Sequence, residues 1–244
     1  MVLQVSDFSL ANVAHTADTK RWHKARSHRL QMLAEHAYRV TIFCQYLAEI
    51  IDPMMDAETE LKLLHKALWH DTAETITGDL PTPIKRLLAA FFPKDQNPID
   101  DLELSVCAPY RRAHEAAEGS YLEVILKLAD IMDAHHFIRY EGRGRSAKDI
   151  AKERKNAFGQ YVDKGKALWP QYNWDGAHEI HRRLFTDELV ELDFNEMAIG
   201  NSTDHRLFVP IQQKKNPTCG EGSWFSTWTR HSFIARSIRS LMGR

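Results

Sequence analysis

Long apolar runs are missing from this chain of 244 residues, and none approaches the roughly 18 needed to span a bilayer. The first residues, MVLQVSDFSLANVAHTAD, lack a basic start followed by an apolar stretch, so no secretory signal is expected. Cysteine is scarce: Cys44, Cys107 and Cys219 are scattered, odd in number and form no CxxC pair. That usage excludes a disulfide framework and fits a reduced, cytoplasmic chain. Charge of one sign is also missing. A formal net charge of -1 at pH 7 argues against a wholly electrostatic nucleic-acid binder. There is no internal repeat and no low-complexity tract.

What is present is ordinary globular composition, with 43% hydrophobic and 27% charged residues, enough for one domain with a sizeable core. Its pattern is helical nearly throughout. Leu33, Ala37, Val40, Phe43, Cys44, Leu47 and Ile51 recur at three- and four-residue steps, which predicts an amphipathic helix closed before Pro53. Asp56 is placed to cap the next helix, whose stripe of Leu61, Leu64, Ala67 and Leu68 runs into WHDTAE at 69–74. Gly78, Pro81 and Pro83 then break the chain into a turn that holds Asp79. Further helices are expected over 84–92, 99–118, 120–141, 146–169 and 175–192. The fold class expected is all-α, a helical globule over 1–195. Composition shifts after about 195. Residues 196–244 form an extension of uncertain structure, packed on the domain or on a neighbouring subunit. The extension ends in the basic amphipathic stretch RHSFIARSIRSLMGR. A solvated tail helix and a segment that docks on an acidic partner, a phosphate or a subunit neighbour both fit that stretch.

Thirteen histidines direct attention to where they sit. Taken singly, a histidine on an apolar face is usually a hydrogen-bonded core residue, and an aspartate in a helix is usually a cap or an ion-pair partner. Here His36, His70-Asp71 and Asp130 lie on three separate helices, each beside an apolar stripe. Asp130, within LEVILKLADIMDA, is expected to be buried, and a buried lone carboxylate is costly unless paired or bound to metal. Two imidazoles and two carboxylates suit a divalent ion such as Mn²⁺, Co²⁺, Zn²⁺, Fe²⁺ or Mg²⁺. Neighbours in a helix point about 100° apart, so His70 and Asp71 share an ion only near a helix end. Glu74, four residues beyond His70, falls on the same helix face. It reads either as a general acid/base beside the ion or as a solvent-facing glutamate.

The order His36…His70-Asp71…Asp130 resembles the HD-domain phosphohydrolases. The fuller pattern is more specific. RW at 21–22, AEHAYRV at 34–40, ALWHDTAETITGDLPTPIK at 67–85 and KLAD at 127–130 are similar to the YfbR-like 5'-deoxynucleotidases, over about residues 20–165. The resemblance implies an HD-type helical fold and hydrolysis of deoxynucleoside 5'-monophosphates. It makes His36, His70, Asp71 and Asp130 the metal ligands, and Glu74 the residue that positions or deprotonates water. It puts Asp79 near the leaving group, Arg21 near the phosphate and Trp22 by the sugar, where an indole excludes a 2'-hydroxyl. Lys85 is a further phosphate contact. A homodimer is also implied.

Another HD substrate, such as a cyclic or signalling nucleotide, stays open at this level, and so do two further readings. Some phage enzymes with a similar fold are dNTP triphosphohydrolases, including ones that deplete dATP, and they share the ligand pattern. The basic run RWHKARSHR at 21–29 would suit a triphosphate, or it is a solvated face. The second is a non-catalytic helical module that binds nucleic acid or protein. Intact ligands together with Glu74 and Asp79 count against it.

Overall fold

The computed structural model describes residues 8–22, 25–92 and 98–188. Cys219, the basic terminal stretch and all of the extension expected over 196–244 lie outside the described residues, as do His23 and Lys24 of the basic run. Ten α-helices and one two-stranded ribbon are described: α1 (Leu10–Ala14), β1 (Lys20–Arg21), β2 (Gln31–Met32), α2 (Leu33–Ile51), α3 (Ala57–Trp69), α4 (Glu74–Thr77), α5 (Thr82–Ala89), α6 (Pro98–Val106), α7 (Ala108–Glu115), α8 (Leu122–Glu141), α9 (Gly144–Leu168) and α10 (Gly176–Thr186). A 3₁₀ turn over His15–Ala17 follows α1. No described helix is long and apolar enough to cross a membrane.

The all-α expectation holds, and the principal helices follow the apolar pattern. On α2 the buried residues Leu33, His36, Val40, Cys44, Leu47 and Ile51 make one stripe, so His36 occupies a core position of its helix. Asp56 does cap α3, its side chain accepting from the Thr59 N–H at 2.8 Å. α8 is the centre of the fold. Thirteen of its residues are buried, because α2, α3, α9 and α10 all pack against it. Val40, Leu47, Leu63, Ile125, Leu128, Met132, Phe158 and Trp174 lie in the resulting core. Gly165 on α9 is a packing requirement. A Cβ there would lie 2.5 Å from the Trp174 indole, closer than atoms tolerate, so this position excludes any side chain.

Besides α10, which closes at Thr186 with Asp187 extended rather than running to 192, three features differ from the sequence pattern. The helix expected over 99–118 is broken at Cys107, which is extended at φ −129° and ψ 91°. Pro109 lacks an N–H and restricts the residue before it, so it sits in the first turn of a new helix rather than inside an old one. The stripe expected to run through WHDTAE stops at Trp69. Beyond it the N–H groups of Thr72 and Glu74 reach back three residues, to Trp69 and Asp71, at 3.0 and 2.9 Å. The backbone therefore tightens into turns before α4. The ribbon is the third difference. Lys20 pairs with Met32 and Arg21 with Gln31, which holds Arg21 beside the start of α2.

Candidate active site

Three segments converge on one point. His36 comes from the core stripe of α2, and Asp130 from the middle of α8. His70 and Asp71 come from the tightened turn that ends α3. His70 keeps helical dihedrals at the C-cap of α3, so the two neighbours reach a common point because both lie at the end of the helix, where the 100° spacing allows it. His36 Nε2 lies 3.1 Å from His70 Nε2 and 3.2 Å from Asp71 Oδ2. His70 Nε2 is 3.5 Å from the same carboxylate oxygen, and Asp130 Oδ1 is 3.7 Å from His36 Nε2. The ligand atoms of His36, His70 and Asp71 all fall within 4.8 Å of one another.

The other nitrogen of each imidazole is already committed. His36 Nδ1 is 2.6 Å from the Asp133 carboxylate, and His70 Nδ1 is 2.6 Å from the Ala67 carbonyl. Each acceptor demands an N–H at Nδ1, which makes Nε2 of each ring the nitrogen open to a proton or a cation. Two such nitrogens and two carboxylates then face one another in a largely enclosed space, an arrangement that is repulsive without positive charge among them. The pull shows at His36. Burial and the Arg21 guanidinium press its pKa down, yet Asp133 and Asp71 outweigh them and lift it to about 9. The donor set therefore fits a divalent cation with mixed nitrogen and oxygen ligands, each imidazole oriented by a hydrogen bond behind it.

Asp133 and Gln31 escaped the sequence reading. Both are fully buried. Trp22 Nε1 donates to Gln31 Oε1 at 2.9 Å, and Gln31 Nε2 donates to Asp133 Oδ2 at 2.6 Å. An indole can only donate, so the orientation of the Gln31 amide is fixed. Asp133 shares the trait by which Asp130 was found, a carboxylate within an apolar helix. Gln31 precedes its helix, and nothing in the local pattern marks it.

A cavity of about 470 Å³ opens beside the cluster, and Arg21, Trp22, Glu74, Asp79, Lys85 and Asp130 all line it. Arg21 Nη1 bonds to Asp71 and stands 3.6 Å from Glu74 Oε2. Glu74 opens α4 rather than continuing α3, so the turn rather than helical spacing brings it here. It is buried, and its Oε2 has no hydrogen-bond partner. Burial and Asp71 push its pKa up to about 8 against the opposing pull of Arg21 and Lys85. Lys85 Nζ bridges Glu74 Oε1 at 3.3 Å and Glu103 Oε1 at 3.2 Å. Trp22 has φ +61°, a left-handed conformation unusual for an aromatic residue and common at functional sites. Asp79 accepts from the Trp22 backbone N–H at 3.2 Å, and the indole stacks on Phe137 at 6.0 Å.

A largely enclosed cluster of two imidazoles and two carboxylates, set among helices beside a cavity with both cationic and acidic walls, defines a metal-dependent phosphohydrolase of the HD class. Residues 10–144 match the model of the 5'-deoxynucleotidase YfbR-like family, and the chain belongs to that family. A dATP triphosphohydrolase of Acinetobacter phage SH-Ab 15497 is 29% identical over 203 residues, covering 79% of this chain and 98% of the relative. A 5'-deoxynucleotidase of Vibrio cholerae serotype O1 is 30% identical over 124 residues, 50% of this chain and 56% of that protein. The fold is shared with the cyanophage S-2L HD phosphohydrolase DatZ, solved with dA and one catalytic Zn²⁺. The TM-score is 0.57 at 22% identity, covering 75% of this chain and 98% of that one. The protein is a nucleotide phosphohydrolase.

Proposed function

We propose that this chain hydrolyses deoxynucleoside 5'-monophosphates to deoxynucleoside and phosphate, with His36, His70, Asp71 and Asp130 as metal ligands. The observation that carries the reading is the pair of imidazole Nε2 atoms aimed at Asp71, each fixed from behind by Asp133 or Ala67. A divalent cation supplies positive charge to the phosphoryl oxygens and makes a water more acidic. Arg21 and Lys85 add charge at the cavity wall, where a phosphomonoester dianion gains it in the transition state. Glu74 orients the attacking water and takes its proton. The bond from phosphorus to the 5'-oxygen breaks, and that oxygen leaves as a hydroxyl on the Asp79 side. Trp22 packs against the sugar and excludes a 2'-hydroxyl. Residues 1–195 form the catalytic unit, and 196–244 an extension. The family resemblance supports a homodimer, and the free, buried Cys44 and Cys107 suit a cytoplasmic setting.

A second reading rests on the phage relative, which this chain matches across nearly its whole length. A deoxynucleoside triphosphate would lose its 5'-ester bond in the same place and release tripolyphosphate. Incubating the protein with dNMPs, NMPs and dNTPs under Co²⁺, Mn²⁺, Zn²⁺ or Mg²⁺, with EDTA as control, separates the two. Orthophosphate from dNMPs supports the first reading, and tripolyphosphate from dNTPs replaces it with the second. EDTA-resistant turnover removes the metal from either.

A further inference from the structure

The core-facing stripe of α9 carries one residue of the wrong kind. Ala147, Phe158, Val162 and Gly165 are buried on it, and Arg154 falls between them, four positions before Phe158. Its side chain keeps 17% of its exposure. Its Nε is fully buried and has no hydrogen-bond partner among the described residues. The guanidinium pairs with the carboxylate of its chain neighbour Glu153 at 3.6 Å, too long for a hydrogen bond. A guanidinium placed on an apolar stripe with an unsatisfied donor is costly unless an anion completes it.

Arg154 lines the same cavity as Arg21 and Asp130. α8 and α9 form an antiparallel hairpin joined through Gly142 and Arg143, so residues equally far from the joint lie side by side. At about 1.5 Å per residue, Arg154 comes level with Asp130, and Ile150 level with Ala134. Ala134 and Ile150 also line the cavity, one helical turn nearer to Phe137, on which Trp22 stacks. The apolar wall thus lies toward the sugar-packing end, and the guanidinium stands at the ligand end. Lys127, one further turn along α8, borders the cavity as well and donates to Asp130 at 2.6 Å.

We infer that Arg154 is a specificity-determining residue of the cavity, binding phosphate beyond the one hydrolysed and so setting the preference between deoxynucleoside mono- and triphosphates. The inference rests on the proposed reading in one respect, that the 5'-phosphorus sits beside His36, Asp71 and Asp130. Arg21 and Lys85 already bond carboxylates beside the metal-binding cluster. Arg154 stands outside that cluster and, like Arg21, keeps a buried Nε–H without a partner among the described residues, and a guanidinium suits two phosphate oxygens at once.

The test is kcat/KM for dATP and for dAMP in the full chain and in R154Q and R154K, with folding followed by thermal unfolding. In R154Q the ratio for dATP over dAMP falls at least tenfold, and R154K recovers part of it. A ratio that moves less than threefold, or one that shifts with the base rather than with the number of phosphates, overturns the inference. Binding of dATP and dAMP to EDTA-treated protein, by calorimetry, supplies a readout that needs no turnover. If wild type hydrolyses neither nucleotide, yet binds dATP at least tenfold more tightly than R154Q does, the proposed function fails and the role of Arg154 stands. If R154Q binds dATP as wild type does, the role of Arg154 fails alone.

Discussion

Asp133 accepts from His36 Nδ1 at 2.6 Å, with both residues fully buried. The carboxylate therefore sets which imidazole nitrogen is open to a proton or a cation, although it touches no ion. Asp133 also takes Gln31 Nε2 and, at 3.4 Å, Arg39 Nη1. Asp133→Asn keeps the size and removes the charge. Metal affinity is expected to fall about 10–100-fold, measured by competition with a chelator, and activity should recover at high metal concentration. An unchanged affinity would show that α2 packing alone orients His36.

Asp71 and Glu74 lie three residues apart and should fail in different ways. Asp71→Ala removes a proposed ligand and the Arg21 hydrogen bond, so metal content and turnover are expected to disappear together. Glu74→Ala leaves every proposed ligand in place. Bound metal should stay near the wild-type stoichiometry while kcat drops by about 10²–10⁴. Elemental analysis beside steady-state kinetics separates the two outcomes. A Glu74→Ala protein that turns over at the wild-type rate would remove Glu74 from the chemistry.

The sequence revealed the site more fully than the connections around it. Periodicity exposed α2 because its stripe runs through many turns, and it placed His36 on a buried face. α8 is buried nearly all round, so its unbroken apolar run marked it rather than a stripe, and Asp130 on it is partly buried. It could not reveal the ribbon of Lys20–Arg21 with Gln31–Met32, since two residues have no period. That ribbon is what brings Arg21 beside α2. The turn at 70–73 was equally hidden. Nothing in WHDTAE breaks a helix by composition, and the stop shows only in the three-residue hydrogen bonds after Trp69. Pro109 was a visible signal for the break at Cys107. Asp133 could have been found by the rule that found Asp130.

Trp22 is held on three sides: the indole N–H by Gln31, the ring by Phe137 and the backbone by Asp79. A ring this constrained discriminates by shape, because it cannot swing aside for an extra hydroxyl. Trp22→Ala should narrow the ratio of kcat/KM for deoxy- over ribonucleotides by about tenfold or more. The same ratio in Gln31→Leu, which releases the indole but keeps it, should move part of the way. If neither variant changes the ratio, sugar selection lies elsewhere in the cavity.

A second histidine cluster predicts how stability varies with acid. His135 Nδ1 on α8 and His181 Nε2 on α10 are 2.9 Å apart, and His181 stacks on Phe158 at 4.3 Å. Burial presses both pKa values down to about 4. Arg139, Lys155 and His136 add to this at His135, and His135, His178 and Lys155 add to it at His181. Above the ordinary histidine value of about 6.5 both states of the chain carry neutral rings, and the pair contributes no pH dependence. Between about 6.5 and 4 the unfolded chain binds protons that the folded pair refuses, so stability falls as pH falls, and levels again below 4. Each ring contributes a slope of up to about 1.4 kcal/mol per pH unit within that window. Denaturant unfolding at pH 7.5, 6.5, 5.5 and 4.5 measures the slope, and the double variant His135→Leu/His181→Leu isolates the pair from the carboxylates that titrate nearby. The variant should lose less stability than wild type between pH 6.5 and 4.5. Parallel profiles would mean that the pair is protonated in the folded chain and that α10 docks on α8 without needing neutral rings.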